Sequence, residues 1–222
     1  MNPTPDPVLA LGVIGRAEAR LTPTLVHHEL YTYDGLLTLH WHGDPTARHV
    51  VIACGGAIGG TLGPGRAVYA HLGQQLAAAG IGTIRVGYRR PNDIERCVHD
   101  MAAAAELASR HGAERFVTIG HSFGGAPAIQ AGVMLGERAA GVVTLATQTA
   151  GCEPGEALAG RTPTLHVHGT ADTVLPYMAS QMVQMLTEGE VRLLPGASHS
   201  FAEAADELEA MLGEWVPARF DT

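Results

Sequence analysis

The apolar residues of this chain fall into two spacings that alternate along most of its length. Short, nearly continuous apolar runs such as His49 to Cys54 (HVVIAC) predict strands covered by helices on both faces. Longer stretches with helical spacing, such as Ala67 to Ala79 with Val68, Leu72 and Leu76, predict helices. In order, strands are expected at His49 to Cys54, Ile81 to Val86, Arg115 to Ile119, Gly141 to Ala146, Thr164 to Val167 and Val191 to Leu194. Helices are expected at Ala67 to Ala79, closed by Gly80 as a C-cap, and at Asn92 to His111, Ala126 to Leu135, Pro176 to Leu186 and Phe201 to Trp215. Such alternation implies an α/β fold with a mostly parallel central sheet and helices on both faces. Its ligand site should lie beyond the carboxyl ends of the strands.

Upstream of these elements, Leu25 to Tyr33 and Leu36 to His42 are two β-leaning runs joined at Asp34-Gly35, which predicts an antiparallel hairpin at the sheet edge. The proline-rich start, through about Leu21, is expected to form an extended arm or short helix on the surface. Residues 1–22 are therefore set apart from a single domain at 23–219. Only about seventeen residues separate the strand ending near Ala146 from the one starting at Thr164, too few for a helical cap domain. The site should be open.

At 222 residues the chain suits one α/β domain with a substantial core. The formal charge of −8, without basic runs or aromatic-basic clusters, gives no footprint for nucleic acid or an anionic membrane. Three cysteines, Cys54, Cys97 and Cys152, with no CxxC spacing argue against a disulfide framework or zinc knuckle and favour a reducing cytoplasm. No positive n-region precedes the short apolar run Val8 to Ile14, so neither an export signal nor a membrane span is expected.

Gly120-His121-Ser122-Phe123-Gly124 carries the chemistry. It follows the strand at Arg115 to Ile119, leads into a helical segment, and fits G-x-S-x-G. In that pattern glycines permit a sharp strand-helix turn that exposes a serine Oγ above the sheet. A serine hydroxyl needs a histidine to take its proton and a carboxylate to hold that imidazole. Asp172 follows the strand Thr164 to Val167, and His199 follows Val191 to Leu194, so both fall on the rim expected for Ser122. An oxyanion needs two donors: the N–H of Phe123, just after the serine, and one from the Gly55-Gly56-Ala57 turn, where Gly56 is favoured.

These residues resemble an α/β-hydrolase of the small, lidless sort similar to dienelactone hydrolases and related esterases, over about Leu25 to Trp215. The resemblance is carried by VVIACGG at Val50 to Gly56, GYRR at Gly87 to Arg90, IGHSFGG at Ile119 to Gly125, HGTADTVLP at His168 to Pro176 and ASHSF at Ala197 to Phe201. It implies Ser122 as nucleophile, Asp172 as acid and His199 as base. Four positions depart from that pattern. Cys54 stands where relatives often have histidine, Gly87 and Arg90 replace an aspartate and a glycine, and the nucleophile is serine where dienelactone hydrolases proper use cysteine.

The expected activity is therefore hydrolysis of a carboxylic ester or thioester through an acyl-enzyme, with no cofactor and no metal. A peptidase or amidase, or a non-catalytic binding protein on the same fold, are the alternatives. The pocket should be shallow, or completed by a second copy in a homodimer. Arg89 and Arg90, with Arg85 and Tyr88, lie near the rim, where a guanidinium fork could recognise a substrate carboxylate; pairing with acidic neighbours is the plainer role. The histidines at 27, 28, 40 and 42 are expected as ordinary strand side chains, not a metal cluster, and His166 and His168 as structural.

Overall fold

The structure, a computed structural model, describes residues 11–221. Nine strands form one sheet: β1 (Val13–Thr22), β2 (Leu25–Thr32), β3 (Gly35–His42), β4 (His49–Cys54), β5 (Gly82–Gly87), β6 (Arg115–His121), β7 (Ala139–Leu145), β8 (Thr164–Gly169) and β9 (Glu190–Leu194). Their spatial order is β1-β2-β3-β5-β4-β6-β7-β8-β9. The first four in that order pair antiparallel, and β5 through β9 pair parallel. The helices are α1 (Val68–Ala78), α2 (Ile94–Arg110), α3 (Gly125–Leu135), α4 (Met178–Thr187) and α5 (Ala205–Trp215).

The run HVVIAC shows why the parallel strands read as apolar. Val50, Ile52 and Cys54 face a core that includes Met101 and Ala104 of α2 and Ala128 of α3. Val51 and Ala53 face the opposite core, with Leu72 and Leu76 of α1 and Leu208 and Leu212 of α5. Successive side chains on a strand point to opposite faces, so a strand with a helix layer on each side has no position left for a polar residue. Each such buried Leu, Ile or Val contributes roughly 1.5–3 kcal/mol. One buried polar cluster lies on the face opposite the second core: His166, fully buried, lies within 2.8 Å of the Thr144 and Thr187 hydroxyls.

Chain order reverses between β4 and β6. From β4 the chain crosses to β5 on one side, then returns to β6 on the other. The connections leaving the carboxyl ends of these two adjacent strands run off in opposite directions, the switch point outside which open α/β sheets place their ligand crevice. One loop carries Gly55 and Gly56, and the other carries Ser122.

Two expectations are corrected. Residues 13–22, expected in a surface arm, form β1, which pairs antiparallel with β2 and extends the sheet. The rest of that arm, residues 1–10, lies outside the described residues. The last helix starts at Ala205, because Phe201 adopts φ 56 to bury its ring and residues Ala202–Ala204 form a 3-10 turn. The β2–β3 hairpin closes with Thr32 opposite Gly35, the turn position at φ 124 being glycine. Between β7 and β8 the described chain contains only a 3-10 segment, Glu153–Leu158, and no helical cap.

Candidate active site

Strand β6 ends at His121, and Ser122 takes φ 56, a left-handed conformation that a non-glycine residue adopts only under constraint. A 3-10 turn, Ser122–Gly124, then leads into α3. The constraint comes from close packing. A Cβ on Gly120 would overlap the carbonyl of Gly124, and a Cβ on Gly124 would overlap the carbonyl of Gly55. Only hydrogen at those positions lets strand, turn and neighbouring loop approach closely enough to push the serine outward.

The Ser122 hydroxyl lies 3.0 Å from Nε2 of His199, whose Nδ1 lies 2.7 Å from Oδ2 of Asp172. These residues come from three loops at the carboxyl ends of β6, β9 and β8. The histidine loop is pinned by Glu203, whose carboxylate accepts from the N–H of Ser198 at 3.0 Å and from its hydroxyl at 2.8 Å. The Asp172 side chain is fully buried. Burial alone would raise its pKa, but the Leu175 N–H, the His199 ring and the Val174 N–H hold it below the usual carboxylate value. Its Oδ1 accepts from Val174 at 2.7 Å and from Leu175 at 2.9 Å.

Two further histidines flank this chain. His121 donates from Nε2 to the His199 carbonyl at 3.0 Å and tilts its ring against the His199 ring at 5.0 Å. Burial lowers its pKa to about 4, so the ring is neutral at pH 7. His168, fully buried at the end of β8, places Nε2 3.0 Å from Asp172 Oδ2. Neither contact was expected from sequence. For His168 the signal was available in its i, i+4 spacing from Asp172 across the His-Gly turn; for His121, only in its place beside the serine.

Gly56 stands on the other side of the serine, where a Cβ would lie 3.5 Å from Ser122 Cβ. The loop holding it is fixed from behind. The Tyr69 hydroxyl donates to the Cys54 carbonyl at 3.1 Å, and the Tyr88 hydroxyl to the Gly55 carbonyl at 3.4 Å. In a trans peptide the C=O and the following N–H point in opposite directions, so anchoring the Gly55 carbonyl inward turns the Gly56 N–H outward. An isolated antiparallel bridge from Gly56 to Gly59 closes the Ala57-Ile58 tip. Cys54 donates its Sγ–H to the Gly124 carbonyl at 3.4 Å and ties the loop to the serine turn. Burial pushes its thiol up to about 12, so it stays protonated. Phe123 is buried directly after the serine.

Arg89 and Arg90 are committed elsewhere. Arg89 Nε meets Asp100 Oδ1 at 2.5 Å in a pair whose side chains are almost wholly buried. Arg90 Nε meets Asp34 Oδ1 at 2.8 Å, and Arg96 binds the other oxygen of Asp34 at 2.6 Å. The guanidinium forks considered for a substrate carboxylate thus clamp the β2–β3 turn to the loop between β5 and α2. Arg85 donates to His42 and to the Thr61 carbonyl. His27 contacts His40 and Glu29 on the hairpin, and among the described residues no group of three or more His, Cys, Asp or Glu is placed to hold a metal ion. No described helix is long and apolar enough to cross a membrane.

Sheet order, serine turn and crevice define an α/β-hydrolase fold, and solved structures share it. Est1E from Butyrivibrio proteoclasticus superposes with a TM-score of 0.75 over 88% of this chain and 99% of that one, at 14% identity. The dienelactone hydrolase from Anabaena variabilis gives 0.72 over 91% and 98%, at 17% identity. Residues 92–212 match the phospholipase/carboxylesterase family of α/β hydrolases, and the chain belongs to that family. A proline iminopeptidase from Lactobacillus helveticus is 40% identical over 57 residues. That stretch is 25% of this chain and 19% of the curated relative, so the alignment spans about a fifth of that protein's length.

Proposed function

We propose that this protein is a serine hydrolase that cleaves a carboxylic ester or thioester through an acyl-enzyme. The observation that carries the proposal is the unbroken chain from Ser122 Oγ through His199 to Asp172, at 3.0 and 2.7 Å, both within hydrogen-bonding range. His199 Nε2 takes the serine proton as Oγ attacks the carbonyl, and Asp172 stabilises the imidazolium that forms. The N–H groups of Phe123 and Gly56 hold the oxyanion. His199 then returns the proton to the leaving alcohol or thiol, and later takes one from the water that releases the acid. That last proton passes from His199 back to Ser122 Oγ as the acid leaves, which regenerates the serine.

The family match favours an ester over an amide. The apolar side chains exposed on the loops at the strand ends, Ile58 and Leu62 after β4 and Val174 after β8, suit an apolar acyl group at an uncapped site. Ser122→Ala should abolish turnover of a short-chain nitrophenyl ester while the protein stays folded, and a fluorophosphonate probe should label the wild type alone. Undiminished turnover in the mutant would refute the assignment. Failure of the wild type to label would instead favour a binding protein on this fold.

A further inference from the structure

The His168 ring occupies a fully buried position at the carboxyl end of β8, and each of its nitrogens has a defined partner. Nε2 lies 3.0 Å from Asp172 Oδ2 and 3.1 Å from the Leu175 carbonyl oxygen. Both are acceptors, so Nε2 carries a hydrogen. Nδ1 lies 2.7 Å from the hydroxyl of Ser180, a fully buried residue in the first turn of α4. Burial lowers the His168 pKa, and the neutral ring must then accept at Nδ1, with the Ser180 hydroxyl donating to it.

The result is a hydrogen-bonded chain running on beyond Asp172: Ser180 to His168, then to the carboxylate. His199 and Ser122 reach the same carboxylate from the other side. Oδ2 therefore accepts from two imidazoles, and Oδ1 from two backbone N–H groups. Every lone pair that could let the carboxyl rotate is occupied. The charged or titratable groups facing His168 are Asp172 and His199, with His121 beyond His199.

We infer that His168, held in its Nε2–H tautomer by Ser180, is a positioning residue that fixes the Asp172 carboxylate for His199. This rests on the assignment of Ser122, His199 and Asp172 as the catalytic chain. It acts through the carboxylate and touches no reacting atom. Losing its donated hydrogen bond leaves Oδ2 a stronger base toward His199, so the imidazolium of His199 gains stability and the acid limb of the pH profile moves upward. Partners behind metal-bound histidines are worth roughly 10- to 100-fold, and the same scale is expected here.

His168→Leu should lower kcat for a nitrophenyl ester roughly tenfold or more with KM little changed, and move the acid limb of kcat/KM to higher pH. His168→Gln, whose amide can donate to Asp172, should recover part of kcat. Ser180→Ala, a mild change within a helix, should move both quantities the same way by less. Nitrogen NMR of the folded wild type should find His168 neutral and protonated at Nε2. Folded His168→Leu or Ser180→Ala with wild-type kcat and pH profile, or an Nδ1–H tautomer, would overturn the inference. If His168→Leu does not fold, Ser180→Ala and the tautomer decide. The tautomer is read without turnover, so an inactive serine would end the hydrolase proposal without touching this measurement.

Discussion

Gly124 and the Gly55 carbonyl are packed so closely that a methyl group on Gly124 would occupy the space of that oxygen. The serine turn and the loop carrying Gly56 are thereby one mechanical unit, joined as well by the Cys54 thiol on the Gly124 carbonyl. Gly124→Ala should cost about 2–4 kcal/mol of stability, since backbone and not a flexible side chain must give way. Ester turnover should fall with it. Gly80, at φ 75 with open space around it, is the comparison: Gly80→Ala should cost only about 1 kcal/mol and leave turnover intact. Thermal melting and a nitrophenyl ester assay of the two variants check both; equal losses would contradict the packing argument.

Asp172 faces four donors, and an amide offers only one acceptor oxygen. Asp172→Asn must therefore turn its NH2 toward a histidine or a backbone N–H, and the His199 ring loses the partner that fixes its tautomer. A drop in kcat of roughly 10³- to 10⁴-fold is expected, with the protein still folded by circular dichroism. A loss below tenfold would show that His199 is oriented by something else.

Acid should destabilise this protein before its carboxylates titrate. Burial lowers the pKa of His40, His42, His121 and His166 from 6.5 to about 4 each. Unfolded histidines take up protons as pH falls through 6.5, while these folded ones do not, so stability is complete above that pH and is lost between 6.5 and about 4. For His166, fully buried among threonine hydroxyls, the loss by pH 5 is about 2 kcal/mol. Urea unfolding at pH 7 and pH 5 should show the decline, and His166→Gln should reduce it by about 2 kcal/mol, the share of that residue. Equal stability of the wild type at both values would contradict the burial argument.

The Arg89–Asp100 pair makes the opposite kind of prediction. Asp100→Ala leaves a buried guanidinium without its main carboxylate and should cost about 3–5 kcal/mol, whereas Arg90→Ala, half-exposed, should cost under about 1 kcal/mol. Folded Arg90→Ala should hydrolyse neutral and carboxylate-bearing esters in wild-type proportion. A selective loss on the charged ester would restore the substrate role considered from sequence.

Local regularity explains how much was legible in advance. HVVIAC announces a two-faced strand because both of its faces are apolar, and the order of Ser122, Asp172 and His199 along the chain matches their convergence on one rim. VIGRAEARLT gives no such signal, because β1 lies at the edge with almost no buried face, and only pairing with β2 makes it a strand. The partners of Arg89 and Arg90 sit 11 and 56 residues away, set by how the hairpin folds back onto α2 and not by any local spacing. His168 escaped for a different reason: a histidine at the end of an apolar strand reads the same whether it fills the core or grips a carboxylate.

Strand β1 also bears on how the molecule behaves among its own copies. Among the described residues it pairs only with β2, so its outer row of backbone N–H and C=O groups is a ready template for another strand. Exposed Arg16, Glu18 and Arg20 line it, and register breaks at Val13/Gly15 and Arg20/Thr22 spoil its straightness. A stranger docking there would have to bury charge against a crooked edge. The sheet can therefore stay open on that side and still resist growing into fibres.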